Sequence, residues 1–478
     1  MTLPTQSPSD HGWPQLFTPA ALPRFALVCL GSWLTAADTL VTATMMPTIA
    51  HDISGTAWFG WSVAGFVLGS IVAGATSGFL SGRIGLRHAL MLGGGVYAAG
   101  CVLSAVSGNM AVFLLGRGVQ GLGGGWTAGL CYVAVTALFT QPLWPRVLSA
   151  LAGVWGFATL SSPLIGGLFA EHGFWRGGFW FFAVQGVGFI AAAAALIPKR
   201  AASDEAKEPI PWRQVCVLVL GIVAISAAGV TRQLWLTGAL AAAGLGLMAV
   251  FLRLDSHSDS RLLPRRTSDP RSAEGAGLMM LFAFTAATAN FTVYGPAMMQ
   301  ALHGASPILA GYVLVCEAVA WTIASMSLAS LDGARATLPI RIGAILITAG
   351  LAALAWAVPF GSLSMIALAA GVQGAGFGCL WALATSRIAG AAPPSERALA
   401  SSAVPTMQLI GTATGAAFAA LIANLFHFDL GITQARAATG GVWLFAAFLP
   451  LALVGVWASW LLSSPRFAVT PDPETPIA

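Results

Sequence analysis

Long apolar stretches separated by short polar segments run through almost the whole chain. A helix needs about 20 predominantly apolar residues to cross the hydrocarbon core of a bilayer. Fourteen stretches approach or exceed that length, and they occupy positions 25–46, 59–80, 88–107, 110–138, 147–170, 178–197, 214–230, 234–252, 276–300, 308–330, 338–358, 361–388, 400–424 and 440–463. The pattern predicts an all-α membrane protein with fourteen transmembrane helices.

Two charged segments divide this series into groups of six, two and six stretches. We expect a six-helix bundle over 25–198, a linker region with two extra helices over 199–275, and a second six-helix bundle over 276–463. Short tails, 1–24 and 464–478, flank the two bundles.

Composition supports a membrane protein and argues against a water-soluble one. Apolar residues make up 57% of the chain and charged residues 8%, with a mean hydropathy of +0.80. A soluble domain carries roughly 25% charged residues, so this chain has too few charges to cover a surface in water. The net charge of +5 would suit a nucleic-acid partner only if the basic residues were clustered. They are distributed by membrane side instead.

The basic residues indicate how the chain is oriented. With the amino terminus in the cytoplasm and sides alternating, eighteen of the 22 Lys and Arg residues fall on the cytoplasmic side. Only Arg176, Arg232 and Arg436 fall on the opposite side, and Arg117 lies within a span. Cytoplasmic loops are enriched in Lys and Arg, so we expect both termini to be cytoplasmic and the protein to reside in the inner membrane. If the two stretches of the linker region did not cross the membrane, the orientation of all other spans would be the same. The basic residues therefore do not test whether that pair crosses the membrane.

An internal repeat links the two predicted bundles. Positions 118–125 read GVQGLGGG in the fourth span, and positions 371–378 read GVQGAGFG in the fourth span of the last six. Repeats of this kind are typical of secondary transporters, whose halves move around a site at the membrane midplane. Small residues also favour close helix packing in membranes, but the matched ordinal positions make a chance repeat the weaker explanation.

The loop after the second span carries a recognisable motif. Its glycines and arginines fit a G-x3-D-R-x-G-R-R pattern at Gly78, Arg83, Gly85 and Arg87. On these residues the chain resembles the major facilitator superfamily. The acidic position of the pattern is Gly82 here, and the resemblance implies a cytoplasmic gate that lacks its acid.

Further motifs are similar to those of the fourteen-span drug:proton antiporters within that superfamily. An R-x-x-Q-G-x-G motif matches Arg117, Gln120, Gly121 and Gly123, and the end of an antiporter motif matches Pro163, Gly166 and Gly167. The first-span motif keeps Asp38 and Pro47, and a W-R-x-x-F motif matches Trp175, Arg176 and Phe179. The resemblance implies a major facilitator fold of two six-helix bundles plus two extra central helices. It also implies proton-driven export of small organic compounds.

Three charged residues lie well inside apolar stretches: Asp38, Arg117 and Glu317. A charge at the bilayer centre costs at least about 2.5 kcal/mol, so each needs a partner or a water-filled cavity. Asp38 fits either a proton carrier or a permanently ionised partner of Arg117. Arg117 fits either a proton relay, as the resemblance implies, or a donor to backbone carbonyls at a gate. Glu317 fits a second proton site, a group that recognises cationic substrate, or a neutral carboxyl hydrogen-bonded to a neighbouring helix.

Uncharged residues within the spans are candidates for lining a substrate cavity. Asn290 holds in the ninth span about the place of Asp38 in the first. The others are two glutamines and three tryptophans, namely Gln120, Gln373, Trp126, Trp321 and Trp381. The glutamines fit hydrogen bonding to substrate or to a facing helix. The tryptophans fit stacking on aromatic substrates or ordinary packing.

The candidate chemistry favours secondary transport over catalysis. The seven histidines and six cysteines form no metal-ligand spacing, and no phosphate-binding loop occurs. We therefore expect no enzyme activity, metal or cofactor, and a proton gradient as the energy source. The expected partners are a small neutral or cationic substrate, protons and lipid, but no nucleic acid. We expect a monomer. A periplasmic adaptor is a further candidate partner. A symporter or facilitator that imports a metabolite is the alternative, ahead of a membrane enzyme or sensor.

Overall fold

A computed structural model describes residues 13–140, 143–199, 210–231, 233–328, 331, 333–393 and 396–464. These residues form α-helices joined by turns and short 3-10 segments, without any strand among them. The helices are α1 (Leu22–Asp52), α2 (Phe59–Ala105), α3 (Met110–Leu138), α4 (Trp144–Glu171), α5 (Trp175–Leu196), α6 (Trp212–Ala228), α7 (Leu234–Ser256), α8 (Ala273–His303), α9 (Pro307–Leu328), α10 (Thr337–Phe360), α11 (Leu363–Ala391), α12 (Arg397–Leu425), α13 (Gln434–Ala446) and α14 (Leu449–Leu462). The prediction of an all-α protein is confirmed for this part of the chain.

Local sequence signals account for several helix starts. The side chains of Asn109, Ser272 and Ser362 precede α3, α8 and α11, and each accepts a hydrogen bond from a backbone N–H in the first turn. Such caps satisfy donors that have no partner within the helix. In the helix interior every backbone group is bonded within the helix, which is what a bilayer requires.

Helix α2 corrects the predicted boundary between the second and third spans. The sequence predicts a loop between stretches 59–80 and 88–107, whereas helical structure continues from Phe59 to Ala105 with one non-helical residue, Gly85 (φ 78°, ψ 152°). The chain reverses direction at this residue. Along the first limb of α2, the contacted positions of α3 increase from Leu114, beside Gly65, to Gly118, beside Gly69. Along the second limb they decrease from Thr127, beside Gly93, to Gln120, beside Gly100. Glycine adopts the left-handed φ of this turn without steric cost.

Among the described residues, twelve helical segments are long and apolar enough to cross a membrane. They include two segments that cover α2, Thr56–Gly74 and Thr76–Ala105, and they count α13 and α14 as one segment, Gln434–Leu462. The predicted last span is thus broken into two helices, which meet at Ala447 and Phe448. Helix α3, with 29 residues, and helix α6, with 17, are not among the twelve.

The first and last groups of helices contact each other near the end of α1. A Cβ atom on Gly60 would overlap the backbone of Ala416 in α12, and the rings of Phe59 and Tyr294 stack with centroids 5.6 Å apart. On the other side, α4 crosses α9, where a Cβ on Gly167 would overlap Ile308. These contacts all lie at one end of the helices.

The hairpin of α6 and α7 bonds to both groups of helices at that same end. The indole Nε1 of Trp61 in α2 donates to the carbonyl oxygen of Ser226 at 2.8 Å. The side-chain amide of Asn424 in α12 donates to the carbonyl oxygens of Ala57, at 3.1 Å, and of Gly229. The extra helices therefore belong to the junction between the two groups.

Parts of the sequence prediction lie outside the described residues. These are most of the amino-terminal tail, residues 465–478 of the carboxy-terminal tail, and four basic residues used for orientation: Arg200, Lys207, Arg232 and Arg466. The predicted domain boundaries stay predictions.

Candidate functional site

The first candidate site is a polar centre between α1 and α3. An Arg117 Nη1 donates to Asp38 Oδ2 at 2.9 Å and to Gln120 Oε1 at 2.8 Å. Gln120 Nε2 in turn donates to Asp38 Oδ1 at 2.8 Å. Asp38 and Gln120 are fully buried, and Arg117 is 2% exposed. We call these three residues the amino-terminal centre.

Neighbouring residues make further contacts with the amino-terminal centre. Thr42, one turn after Asp38 on α1, places its hydroxyl 3.4 Å from Asp38 Oδ1. Gln120 Nε2 also donates to Cys101 Sγ at 3.1 Å, and the Arg117 guanidinium lies 4.6 Å from the centre of the Phe66 ring. Sequence patterns did not single out Cys101 or Phe66, since neither has a polar or charged side chain at a motif position.

The spacing on α3 explains why the centre forms. Residues three apart on a helix lie on the same face, so Arg117 and Gln120 both point at α1. The bonds of Arg117 run to side chains rather than to the backbone carbonyls considered from the sequence. The charges of Asp38 and Arg117 cancel within a buried, hydrogen-bonded pair, which is the condition under which ionised groups are tolerated in a low-dielectric interior.

A second polar centre lies between α9 and α11. Gln373 Nε2 donates to Glu317 Oε1 at 3.0 Å. Gln373 is fully buried, and Glu317 is half-buried. Within the described part of the chain, no Lys, Arg or His lies within ion-pair distance of Glu317. Glu317 and Gln373 form the carboxy-terminal centre.

An aromatic cluster adjoins the carboxy-terminal centre. Trp321 stacks on Phe377 with ring centroids 4.9 Å apart and planes at 10°, and Trp381 lies 5.3 Å from Trp321. Trp321 follows Glu317 by one helical turn, and Phe377 follows Gln373 by one turn. Phe377 was missed from the sequence, although its four-residue spacing from both Gln373 and Trp381 was a usable signal.

The glutamines of the two centres occupy equivalent places in the two halves, whereas the acids do not. A Cβ on Gly121 would overlap the backbone carbonyl oxygen of Phe66, and a Cβ on Gly374 would overlap that of Glu317. Likewise, Gly100 packs on the backbone of Gln120 as Gly350 packs on that of Gln373. Glu317 therefore stands where the first half has Phe66.

Two further cavity candidates lie apart from the polar centres. Asn290 is fully buried in α8, and its amide donates to the carbonyl oxygen of Leu444 at 2.9 Å. Trp126 donates its indole N–H to Thr76 Oγ1 at 2.8 Å within the first half. Both side chains are engaged in helix packing in this arrangement.

The predicted gating residues fall at turns and helix crossings. Gly85 forms the reversal of α2, and the exposed Arg83 lies 5.6 Å from the Phe79 ring. Arg87 is half-buried, and Gly78 has open space around it. In α3, Gly123 packs against the backbone of Tyr97.

The antiporter-type motif sits where α4 meets one helix from each half. A Cβ on Gly166 would come within 2.7 Å of the Val41 carbonyl oxygen in α1, whereas Gly167 and Pro163 pack on Ile308 and Gly311 of α9. Small residues let these helices approach closely.

The structure also gives a role to the tryptophan–arginine motif that the sequence left without a partner. Arg176 Nη1 donates to Asp52 Oδ2 at 2.7 Å, and Trp175 Nε1 donates to the same oxygen at 3.1 Å. This tie joins the start of α5 to the end of α1. Asp52 was not noticed because it follows the apolar stretch as one of several polar loop residues.

No group of three or more His, Cys, Asp or Glu suited to a metal ion occurs in the portion of the chain that the structure covers.

Comparison with known proteins decides the family. A sequence profile of the Major Facilitator Superfamily matches residues 28–357. The chain belongs to the major facilitator superfamily. It is therefore a multi-pass membrane transporter and not an enzyme, and the resemblance at the superfamily level is confirmed.

Individual relatives agree with that assignment. The chain is 29% identical to a probable multidrug-efflux transporter of Mycobacterium tuberculosis, over 95% of this chain and 98% of that one. It is 28% identical to a tetracenomycin C resistance and export protein of Streptomyces glaucescens, over 61% of this chain and 55% of that one. The crystal structure of a D-xylose–proton symporter matches with a TM-score of 0.66 at 16% identity, covering 93% of this chain and 97% of that one. The last match supports the major facilitator fold.

Proposed function

We propose that this transporter exports small, drug-like organic compounds, neutral or cationic, in exchange for protons. The observation that carries the proposal is the recurrence of a glutamine–carboxyl pair in each half, Gln120 with Asp38 and Gln373 with Glu317. Acids inside a membrane protein mark proton or ion pathways by default. The named activities of the two bacterial relatives favour export of drug-like compounds.

The charge balance of the two centres favours neutral or cationic cargo. Two acids and one arginine, Asp38, Glu317 and Arg117, lie deep within the helices. An anionic substrate would need a surplus of basic groups, whereas Glu317 beside the aromatic cluster suits a neutral or positively charged aromatic compound.

We also propose fourteen spans, as in the drug:proton antiporters, with both termini in the cytoplasm of an inner-membrane protein that acts as a monomer. Helix α3 runs beside both limbs of α2, and α6 runs beside α7. Adding α3 and α6 to the twelve strongly apolar helices gives fourteen crossings.

The proposed membrane orientation indicates which side of the membrane the contacts between the two halves face. With a cytoplasmic amino terminus, the contacts of Phe59, Gly60 and Gly167 with the second half lie at the outer end. The halves are then joined on the outside, as expected before a cytoplasmic substrate binds in alternating access.

An efflux experiment tests the proposed function. Cells that express the protein are loaded with a panel of fluorescent organic compounds, and efflux is followed with and without a protonophore. We expect export of at least one compound against its gradient, and its loss when the protonophore collapses the proton gradient. The exposed-acid variant Glu171→Gln serves as a matched control that keeps both polar centres.

Two results would contradict the proposal. Flux that only equalises concentrations and ignores the protonophore would indicate a facilitator. Proton-dependent accumulation inside the cells would indicate a symporter.

A further inference from the structure

We propose that Glu317 is the carboxyl group that takes up and releases the coupling proton, whereas Asp38 stays ionised beside Arg117 as a fixed structural pair. The inference rests on the proposed proton-coupled function and assigns its proton to one of two acids. The hydrogen-bond partners of the two carboxyl groups carry the argument.

Both carboxylate oxygens of Asp38 already accept hydrogen bonds. Its Oδ2 accepts from Arg117, and its Oδ1 accepts from Gln120 and Thr42. Protonation would remove the counter-charge of Arg117, which is 2% exposed. An unpaired buried charge is strongly destabilising, so the amino-terminal centre holds Asp38 in its ionised form.

Glu317, unlike Asp38, has no cation beside it in the described structure. Its described polar partner is the amide nitrogen of Gln373, and its side chain is half-buried. An ionised Glu317 therefore has no counter-charge within the described structure, and a neutral Glu317 leaves no cation unpaired. Both charge states are compatible with this centre.

The side-chain amide oxygen of Gln373 favours a protonated Glu317. Gln373 Oε1 is buried and has no hydrogen-bond partner among the described residues. A protonated Glu317 would donate its O–H to this oxygen while Gln373 Nε2 still donates to Glu317 Oε1. The acid and the amide would then form two complementary hydrogen bonds, which satisfies an acceptor that is otherwise costly to bury.

Among the described residues, no cation forms an ion pair with Glu317. Helix α9 packs against α1, α4, α8 and α11. At the crossing with α4 the contacts are Pro163 and Gly167, which carry no charge. Of the two acids of α1, Asp38 is paired with Arg117 and Asp52 with Arg176. On α11, Arg387 is directed away, to Thr337 and to the Leu462 carbonyl.

The remaining ionisable groups of the packed helices lie elsewhere. On α8 the mid-helix tyrosine, Tyr294, stacks on Phe59 of the first half, and Glu274 lies in the first turn. On α11 the cysteine Cys379 lies more than one turn beyond Gln373. Release of the proton from Glu317 to water therefore leaves a carboxylate held by the Gln373 amide N–H alone.

Infrared difference spectroscopy tests the assignment without a substrate. Purified protein in liposomes is taken through a pH change, and the C=O stretch of protonated carboxyl groups is recorded. We expect Glu317→Gln to lose a band that the wild type and the exposed-acid control Glu171→Gln both show. The double variant Asp38→Asn/Arg117→Gln, which removes both charges of the amino-terminal centre together, is expected to keep it.

A second variant examines the role of Gln373 as a positioning residue. Gln373→Met removes both hydrogen bonds but leaves the carboxyl group, so the band should remain and shift in frequency. A residue that only fills space would leave the frequency unchanged. This variant also keeps the test open if Glu317→Gln fails to fold.

The decisive contrary result is a band that persists in Glu317→Gln and disappears in the double variant. Efflux that ignores the protonophore would overturn the proposed coupling, whereas the infrared band would still report whether Glu317 is the exchangeable carboxyl. The two failures are therefore distinguishable.

Discussion

The amino-terminal and carboxy-terminal centres are built on the same backbone plan but carry different charges. In both, a glutamine in a glycine-rich helix binds a carboxyl group on a neighbouring helix. In the first half the acid comes from α1 and is paired with Arg117. In the second half the acid comes from α9, and the position that corresponds to Arg117 is Ala370.

The difference teaches that the repeat preserves packing more strictly than charge. Gly121 and Gly374 make the same close approach to a carbonyl, so the helix framework tolerates no side chain at either place. The polar groups around that framework differ. The amino-terminal centre is a neutral, closed network, whereas the carboxy-terminal centre has an acid whose polar contact is an amide.

The largest expected effect comes from breaking the ion pair of the first half. Arg117→Ala would leave Asp38 buried with a charge and no cation, and breaking a buried pair costs about 3–5 kcal/mol. Thermal or denaturant unfolding of the purified protein in detergent would measure the loss. The described carboxy-terminal centre holds no ion pair, so removing a polar side chain of that centre should cost less.

The exposed pair of Arg176 with Asp52 supplies the control. These side chains are 37% and 49% exposed, and surface pairs contribute about 0–1 kcal/mol. Equal losses for Arg176→Ala and Arg117→Ala would show that burial does not distinguish the two pairs.

Adding a methyl group at the shared glycines tests whether the halves are packed alike. In both Gly121→Ala and Gly374→Ala the new Cβ would overlap a carbonyl oxygen, and overpacking costs about 1–3 kcal/mol. Gly188→Ala in α5, where nothing lies within 4 Å, should be neutral or slightly stabilising. The readout is the unfolding midpoint, and sensitivity in one half alone would refute the equivalence.

The smallest effects are expected from the glutamines, and they should be unequal. Gln120 makes hydrogen bonds to Asp38, Arg117 and Cys101, whereas Gln373 makes one, to Glu317. At about 0.6 kcal/mol for each hydrogen bond within a membrane protein, Gln120→Met should cost about 2 kcal/mol and Gln373→Met about 0.6 kcal/mol. Unfolding in detergent measures both variants. Equal costs would indicate that the additional hydrogen bonds of Gln120 do not stabilise the protein.

Much of the framework was predictable from the sequence because it depends on local properties. Apolar length gave the helices, and α3 (Met110–Leu138) begins and ends at the predicted residues. The predicted helix boundaries were wrong where a single residue, Gly85, forms the turn. They were also wrong where a predicted span is broken into two helices, at Ala447 and Phe448. Hydropathy averages over many residues, so it does not detect a one-residue change of direction.

The candidate site was predictable only as a set of residues. Asp38, Arg117 and Glu317 were conspicuous because charges are rare in apolar stretches. Their pairing was not, since contact between residues 79 apart depends on how α1 and α3 pack. The aromatic contact of Phe377 was hidden for the same reason.

The sequence by itself therefore determined that this chain is a helical membrane transporter with two related halves, because span length and repeated motifs are written along one dimension. Only the tertiary structure decided which acid has a counter-charge. A carboxyl group's chemistry depends on the groups within hydrogen-bonding distance, and helix packing brings those together from remote positions. In this protein that packing pairs Asp38 with a cation and leaves Glu317 with an amide.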